Sequence, residues 1–209
     1  MSGSNDSASP SIHQPRSRAQ FWILVAIFFA PLAIAFILYY GLDGWRPPGS
    51  TNRGELIQPP QQIPEVELST PSGTPLPANT LRGKWTLVYI GEGSCDSVCR
   101  TQLTLMRQSR LALNDDMERV QRLFLSTDGC CADDYLNSEH PGLLVAELDA
   151  EAADVRSVFE AVVSEPLAHT GRIYIVDPLG NLMMSYKPDA PPKGLLEDMK
   201  KLLKFSHIG

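Results

Sequence analysis

The sequence predicts an α/β fold: a mixed central sheet flanked by helices, tethered by one N-terminal transmembrane helix. Three observations lead to this prediction. A run of apolar residues near the N-terminus carries no charge, strand-like and helix-like periodicities alternate along the C-terminal two thirds, and 43% of the 209 residues are hydrophobic. A chain of this size and composition can bury one core of ordinary size, so we expect one folded domain.

The apolar run is the first element. Phe21 to Tyr40 is almost entirely apolar, and a helix of twenty residues rises about 30 Å, the thickness of the hydrocarbon core of a bilayer. Pro31 lies near its middle, where a membrane tolerates it better than water does. A cleaved signal peptide is the alternative, but the run exceeds the usual apolar region and no small-x-small site follows it. We expect a polar tail over 1–20 and a membrane span over 21–41.

The segment that follows, 42–64, is rich in proline. Eight of the seventeen prolines lie between Pro47 and Pro77, and periodicity is weak there. Such a composition is typical of an extended, semi-rigid spacer.

Basic residues flank the apolar run evenly, so their number on each side does not determine which way the span crosses the membrane. The tail lacks the Arg-rich pattern of a transit peptide, which favours a bacterial inner membrane.

The remaining residues, 65–209, form the predicted domain. They contain 14 basic and 21 acidic residues, so this part carries essentially the whole net charge of −6. A chain without a basic excess cannot neutralise phosphates, which excludes nucleic acid as an expected partner.

Periodicity assigns the elements of this domain in order. A short hairpin is expected over 66–76. The predicted strands are 85–90, 120–125, 143–148 and the hairpin pair 172–176 and 182–186; the predicted helices are 100–113, one around 155–162, and one that begins at Pro192. This order matches a thioredoxin-like domain, with a mixed central sheet.

Two cysteines lie where the first buried strand meets the first helix, in the segment GEGSCDSVCRTQL. Cys95 and Cys99 are placed at a predicted helix N-terminus, where unpaired N–H groups and the helix dipole stabilise the thiolate form. Their spacing puts both sulfurs on one side of the first turn, close enough to share a metal or to form a disulfide. Two interpretations stay open: a redox-active dithiol, or a pair of thiolate ligands for a soft metal.

A third ligand would distinguish the two interpretations. His169 lies in the segment LAHTGRIYIVDPLG, directly before a predicted strand. In thioredoxin-like folds such a loop returns over the dithiol. Two thiolates and one imidazole suit Cu(I), and Cu(II) with an added ligand, whereas closed zinc sites take four protein ligands.

The strand-CxxxC-helix unit, the downstream His-x-x-x-Ile-Tyr-Ile-Val-Asp-Pro-x-Gly segment and the single N-terminal span together resemble the Sco/SenC family of cytochrome c oxidase assembly proteins. The resemblance implies copper binding by Cys95, Cys99 and His169. It also implies a domain on the periplasmic side of the membrane. Such proteins deliver copper to oxidase subunit II, or reduce the cysteines of its copper site.

The sequence departs from the family pattern after each motif cysteine. Family members usually have proline there, whereas this chain has Asp96 and Arg100. By sequence proximity, the carboxylate is expected to oppose the thiolate at Cys95 and the guanidinium to favour it at Cys99.

Cys130 and Cys131 have no counterpart in the family pattern. They are either a vicinal pair without a special role, or one of them resolves a mixed disulfide or adds a metal ligand. His140 is expected to be a solvated loop residue.

Three functions are compatible with these sequence features. The first is a copper metallochaperone or oxidase assembly factor, and not a turnover enzyme. The second is a membrane-tethered thiol-disulfide oxidoreductase that uses Cys95 and Cys99 without metal. The third is a degenerate domain that acts only as a scaffold in oxidase assembly.

Overall fold

A computed structural model describes residues 18–40, 52–129, 131, 133–206 and 208. The chain divides after residue 49 into two units. The described part of the first is the helix α1 (Arg18–Tyr40), which contains Pro31. An 18-residue window within residues 18–38 has a mean hydropathy of 2.8, so α1 is long and apolar enough to be a candidate membrane span. The helix covers the predicted span except residue 41, which lies outside the described residues.

The second unit is built on one six-stranded sheet with the strand order β1-β6-β5-β2-β3-β4. The strands are β1 (Glu55–Gln62), β2 (Trp85–Gly91), β3 (Val120–Ser126), β4 (Leu143–Glu147), β5 (Ile173–Val176) and β6 (Asn181–Tyr186). The α-helices are α2 (Ser97–Leu111), α3 (Asp133–Glu139), α4 (Ala153–Glu160) and α5 (Pro192–Phe205), and two 3-10 helices cover Asn114–Arg119 and Leu167–His169. Strands β2, β3 and β4 are parallel, whereas β5, β6 and β1 pair antiparallel. The predicted mixed α/β sheet is confirmed.

The two faces of the sheet bury separate apolar clusters. Strand β2 is buried at every position, as expected for a central strand with a continuous apolar run. On one face, Leu87 belongs to a cluster with Leu103 and Met106 of α2 and with apolar residues of α5. On the other face, Val88 belongs to a cluster with Phe159 of α4. The loop between β2 and α2 is thus held between a buried strand and a packed helix.

Part of the segment predicted to be a spacer is a strand. Residues 55–62 form β1, which pairs with β6 at the edge of the sheet. Pro59 and Pro60 lie where the register shifts between Leu56 and Gln61, so they are not required to donate ladder hydrogen bonds. The hairpin predicted over 66–76 is reduced to a single antiparallel bridge between Leu68 and Leu76.

The prediction that His140 is solvated is wrong. His140 directly follows α3 and is only 2% exposed. Its backbone N–H donates to the Leu136 carbonyl, and its Nε2 lies 3.0 Å from the hydroxyl of Tyr135. The sequence analysis missed α3, which supplies the residues that cover the imidazole.

Burial, together with the charges of Arg122 and Arg107, lowers the pKa of His140. The unfolded chain then binds more protons than the folded chain once the pH falls below the usual histidine pKa of about 6.5. The stability of the folded state therefore falls as the pH drops through this range. Glutamine does not titrate, so we expect the Tm of His140→Gln to fall less between about pH 7.5 and pH 5 than the Tm of the wild type.

Thermal unfolding at the two pH values measures this difference. The control is His13→Gln, which removes a histidine of the N-terminal tail and should leave the acid-induced loss of Tm unchanged. Equal losses in wild type and His140→Gln would contradict the prediction.

Candidate functional site

The two motif cysteines meet at the start of α2, as the sequence predicts. Cys95 and Cys99 form a disulfide with their Cα atoms 5.1 Å apart. Both residues are buried, at 1% and 2% exposure, within the apolar cluster that includes α2 and α5. The two cysteines are thus buried between exposed neighbours, Ser94 and Asp96.

The charged residue that follows each motif cysteine contacts the backbone of the other cysteine. Asp96 is the N-cap of α2, and its Oδ1 accepts the backbone N–H of Cys99 at 2.8 Å. Nε of Arg100 donates to the Cys95 carbonyl at 3.2 Å, and the guanidinium lies 4.3 Å from the ring centre of Tyr135. Each charged side chain thus bonds to the backbone of the other cysteine. The expected effects of Asp96 on a thiolate at Cys95 and of Arg100 on a thiolate at Cys99 stay predictions, because both sulfurs are joined in the disulfide.

The backbone at Cys95 has an uncommon conformation. Its φ is +46°, in the left-handed region that side chains other than glycine rarely adopt. The N–H of Cys95 donates to the Glu92 carbonyl at 3.1 Å, which closes a tight turn. A strained residue of this kind persists only when its surroundings hold it, and such residues concentrate at functional sites.

A second loop supplies that support. The N–H of Gly93 donates to Oδ1 of Asp128 at 2.7 Å, and the N–H of Thr127 donates to the Gly91 carbonyl at 3.0 Å. The loops after the parallel strands β2 and β3 are thus bonded to each other. The backbone of Gly93 also approaches the Gly129 carbonyl so closely that a Cβ would overlap it.

We expect Gly93→Ala to destabilise the domain by about 1–3 kcal/mol, because the added Cβ must displace backbone and not a flexible side chain. The loss should appear in the free energy of unfolding measured with urea. Ser94→Ala, at the adjacent exposed position, is the control and should change stability by less than about 0.5 kcal/mol. A Gly93→Ala variant as stable as the control would refute the close approach.

His169 and Cys99 share a cavity of about 350 Å³. The cavity is lined by Tyr89, Glu92, Asp96, Val98, Cys99, Ala168, His169 and Gly171. His169 ends the short 3-10 helix before β5, and its Nδ1 lies 4.0 Å from Oε1 of Glu92. The structure therefore brings all three predicted ligands to one region, with Cys99 as the cysteine that lines the cavity.

Sequence reasoning missed two residues of this cavity, Tyr89 and Glu92. Tyr89 lies in the buried run of β2, and burial together with the charge of Asp96 raises its pKa. Glu92 comes directly after the strand that leads to the motif, a position that could have indicated a role.

In the disulfide form the sulfurs bind each other and are not free to bind a metal. Accordingly, within the described ranges, no group of three His, Cys, Asp or Glu side chains is arranged to hold a metal ion. The donor set itself, Cys99 and the His169 imidazole on one cavity with Cys95 bonded to Cys99, is of the kind that soft metals prefer once the sulfurs are reduced.

The vicinal cysteines are only partly described. Cys130 lies outside the described residues. Cys131 is half-buried against the apolar cluster that contains Cys95 and Cys99, and it is not a free thiol. A resolving or ligating role for this pair stays a prediction.

Comparison with known proteins gives matches over the domain. Residues 85–206 match the model of the transmembrane-like, thioredoxin-like, C-terminal domain family. A SCO2-like protein of Rickettsia felis is 27% identical over 152 residues, which cover 65% of this chain and 74% of that protein.

Solved structures show the same likeness. Copper-bound ScoI of Bradyrhizobium japonicum is 25% identical, with a TM-score of 0.54 over 68% of this chain and 98% of ScoI. BsSco, described as having a disulfide switch and as a member of the Sco family of cytochrome c oxidase assembly proteins, has the same fold at 15% identity. Its TM-score is 0.52, over 72% of this chain and 99% of BsSco. The thioredoxin-like fold and the resemblance to Sco proteins are confirmed.

Proposed function

We propose that this chain, which belongs to the transmembrane-like, thioredoxin-like, C-terminal domain family, is a membrane-anchored copper-binding assembly factor for cytochrome c oxidase. One observation carries the proposal: His169 lines the same cavity as Cys99, and Cys99 is bonded to Cys95. Two cysteines and one histidine, from two loops far apart in the sequence, therefore lie at one site. Their chemistry fits copper as cargo.

Loading requires that the disulfide be reduced. A reduced dithiol of a partner supplies two electrons and two protons, so the Cys95–Cys99 bond becomes two thiols and the partner becomes a disulfide. Cu(I) then replaces the two thiol protons and binds the thiolates together with the neutral imidazole of His169. The N-terminus of α2, where Cys99 is the third helical residue, favours the thiolate form.

The membrane anchor follows from the candidate span α1. With that helix in a bacterial inner membrane and the domain in the periplasm, the copper site would face oxidase subunit II on the same side. The description of BsSco, which has the same fold, as a member of a family of cytochrome c oxidase assembly proteins supports the oxidase as partner. Delivery of copper to subunit II, or reduction of its cysteines before copper enters, is the step we propose for this chain.

An anaerobic Cu(I) titration of the full chain in detergent tests the proposal. The reduced wild type should bind one Cu(I), and the oxidised wild type should not. Binding should be lost in Cys95→Ala, Cys99→Ala and His169→Ala. His13→Ala, which changes a histidine of the N-terminal tail, is the matched control. Unchanged binding in all three site variants would refute the copper site.

A second function, thiol-disulfide exchange without metal, is favoured by the disulfide between Cys95 and Cys99. It differs from the first in its use of His169. An oxidoreductase should keep full dithiol exchange activity in His169→Ala and have a reduction potential near those of thioredoxins. A copper carrier should lose its metal in the same variant.

A further inference from the structure

The contact between Glu92 and His169 assigns a role to a residue outside the predicted ligand set. Oε1 of Glu92 lies 4.0 Å from Nδ1 of His169. Their side chains are 48% and 67% exposed and line the cavity that contains Cys99. Because both side chains project into open space, a small rotation is enough to bring the two atoms to hydrogen-bond distance.

The backbones on both sides of this contact are fixed. The carbonyl of Glu92 accepts the N–H of Cys95 at 3.1 Å, and the neighbouring Gly93 donates to Asp128 at 2.7 Å. On the other side, the N–H of His169 donates to the Pro166 carbonyl at 2.9 Å, and the next residue, Thr170, is buried. The two side chains thus extend from anchored loops toward the same space.

A histidine that binds a metal through one ring nitrogen usually donates its other N–H to a carboxylate or carbonyl. That hydrogen bond fixes the tautomer and the ring orientation, and it makes the ligating nitrogen more basic. In this chain, Glu92 is the carboxylate that faces Nδ1.

We propose that Glu92 is a positioning residue for His169: its carboxylate accepts the Nδ1–H and leaves Nε2 to bind copper. This inference rests on the proposed copper function. The carboxylate also adds a negative charge beside the site, which favours Cu(II) over Cu(I) because the interaction grows with the charge of the ion. Glu92 therefore tunes both the geometry of the imidazole and the preferred oxidation state of the cargo.

The first test reads the tautomer of His169 without metal. Nitrogen NMR of the reduced, metal-free full chain at about pH 8, above the usual histidine pKa, shows which ring nitrogen carries the proton. We expect the proton on Nδ1 in the wild type and a changed tautomer ratio in Glu92→Ala. Glu67→Gln, at an exposed position outside the cavity, is the control and should leave the His169 signals unchanged.

The second test compares affinities for the two copper ions. Loss of such a supporting carboxylate costs roughly 10–100-fold in metal affinity. We expect Cu(II) affinity to fall by that factor in Glu92→Ala and Cu(I) affinity to fall less. In Glu92→Gln, which keeps an acceptor oxygen but no charge, the Nδ1–H tautomer should persist while the preference for Cu(II) falls.

The outcomes separate this inference from the proposed function. If wild-type copper binding requires Cys95, Cys99 and His169 but Glu92→Ala changes neither the tautomer nor the Cu(II) affinity, the role of Glu92 is overturned and the copper site stands. If the wild type binds no copper, the proposed function fails, and the metal-free NMR measurement still decides whether Glu92 orients His169.

Discussion

A small thiol added to the oxidised protein is expected to attack the sulfur of Cys99 and to release Cys95 as the thiolate. Both cysteines are buried, at 1% and 2% exposure, but Cys99 lines the cavity that contains His169 and Cys95 is not among the residues lining it. The cavity therefore indicates the second cysteine of the motif as the target.

The charges around the motif favour the same direction. Departure of a thiolate is faster when a nearby cation stabilises it. Arg100 donates to the Cys95 carbonyl, so its positive charge lies beside Cys95, whose thiolate leaves. Asp96 accepts the N–H of Cys99, so its negative charge lies beside the residue that is attacked. We therefore expect the Arg100 charge to stabilise the thiolate that leaves at Cys95.

Reaction of the oxidised full chain with glutathione, followed by an acid quench and peptide mass spectrometry, locates the adduct. We expect it on Cys99, with Cys95 trapped as a free thiol. Arg100→Gln should slow the exchange by about threefold to tenfold, because the leaving thiolate loses its cation. Arg107→Gln is the matched control, since that arginine of the same helix contacts Glu139 and not the motif. An adduct mainly on Cys95 would contradict the prediction.

The parts of the structure that follow from local pattern were predictable. The buried run in β2 and the i, i+3, i+4, i+7 spacing on α4 and α5 are strong signals, and they placed these elements within a few residues. The CxxxC spacing likewise predicted two sulfurs close enough to share a metal or to form a disulfide, and the loop before β5 indicated His169. In each case the residues that produce the feature are close together in the sequence.

The parts that depend on contacts between distant segments were not predictable. β1 is a strand because β6 supplies a pairing edge, and its prolines suit that edge only because the register shifts there. The pairing of these two strands has no signature within a short window of sequence. The contacts of His140 with Tyr135, of Asp96 with Cys99 and of Arg100 with Cys95 are local, and they were missed because neither α3 nor the positive φ at Cys95 was predicted.

Replacement of Asp198 is expected to cause the largest loss of stability, about 3–4 kcal/mol for Asp198→Ala. Asp198 is 1% exposed. Its Oδ2 accepts three hydrogen bonds, from the N–H of Arg53 at 2.6 Å, the N–H of Gly54 at 2.9 Å and the hydroxyl of Tyr186 at 2.7 Å. Removal of the carboxylate leaves the buried Tyr186 hydroxyl and two part-buried N–H groups without this acceptor, and it also removes a partner of Lys201 at 3.5 Å.

This carboxylate joins three parts of the domain. Arg53 and Gly54 lead into β1, Tyr186 ends β6, and Asp198 lies in α5. Burial and the interaction with Asp198 raise the pKa of Tyr186, so its hydroxyl stays a donor at neutral pH. The same side chain therefore holds the segment that the sequence assigned to the spacer against the folded domain.

Two measurements on Asp198→Ala check this role. The Tm should fall by roughly 10 °C, since 1 kcal/mol corresponds to about 2–4 °C in a chain of this size. Trypsin should also cut after Arg53 faster than in the wild type, because the first residues of the domain lose their anchor to α5. Glu197→Ala is the matched control: Glu197 is 48% exposed and contacts the same Arg53 through its side chain, so its loss should cost less than about 1 kcal/mol. If Asp198→Ala and Glu197→Ala lowered the Tm equally, the buried carboxylate would not anchor β1 to α5.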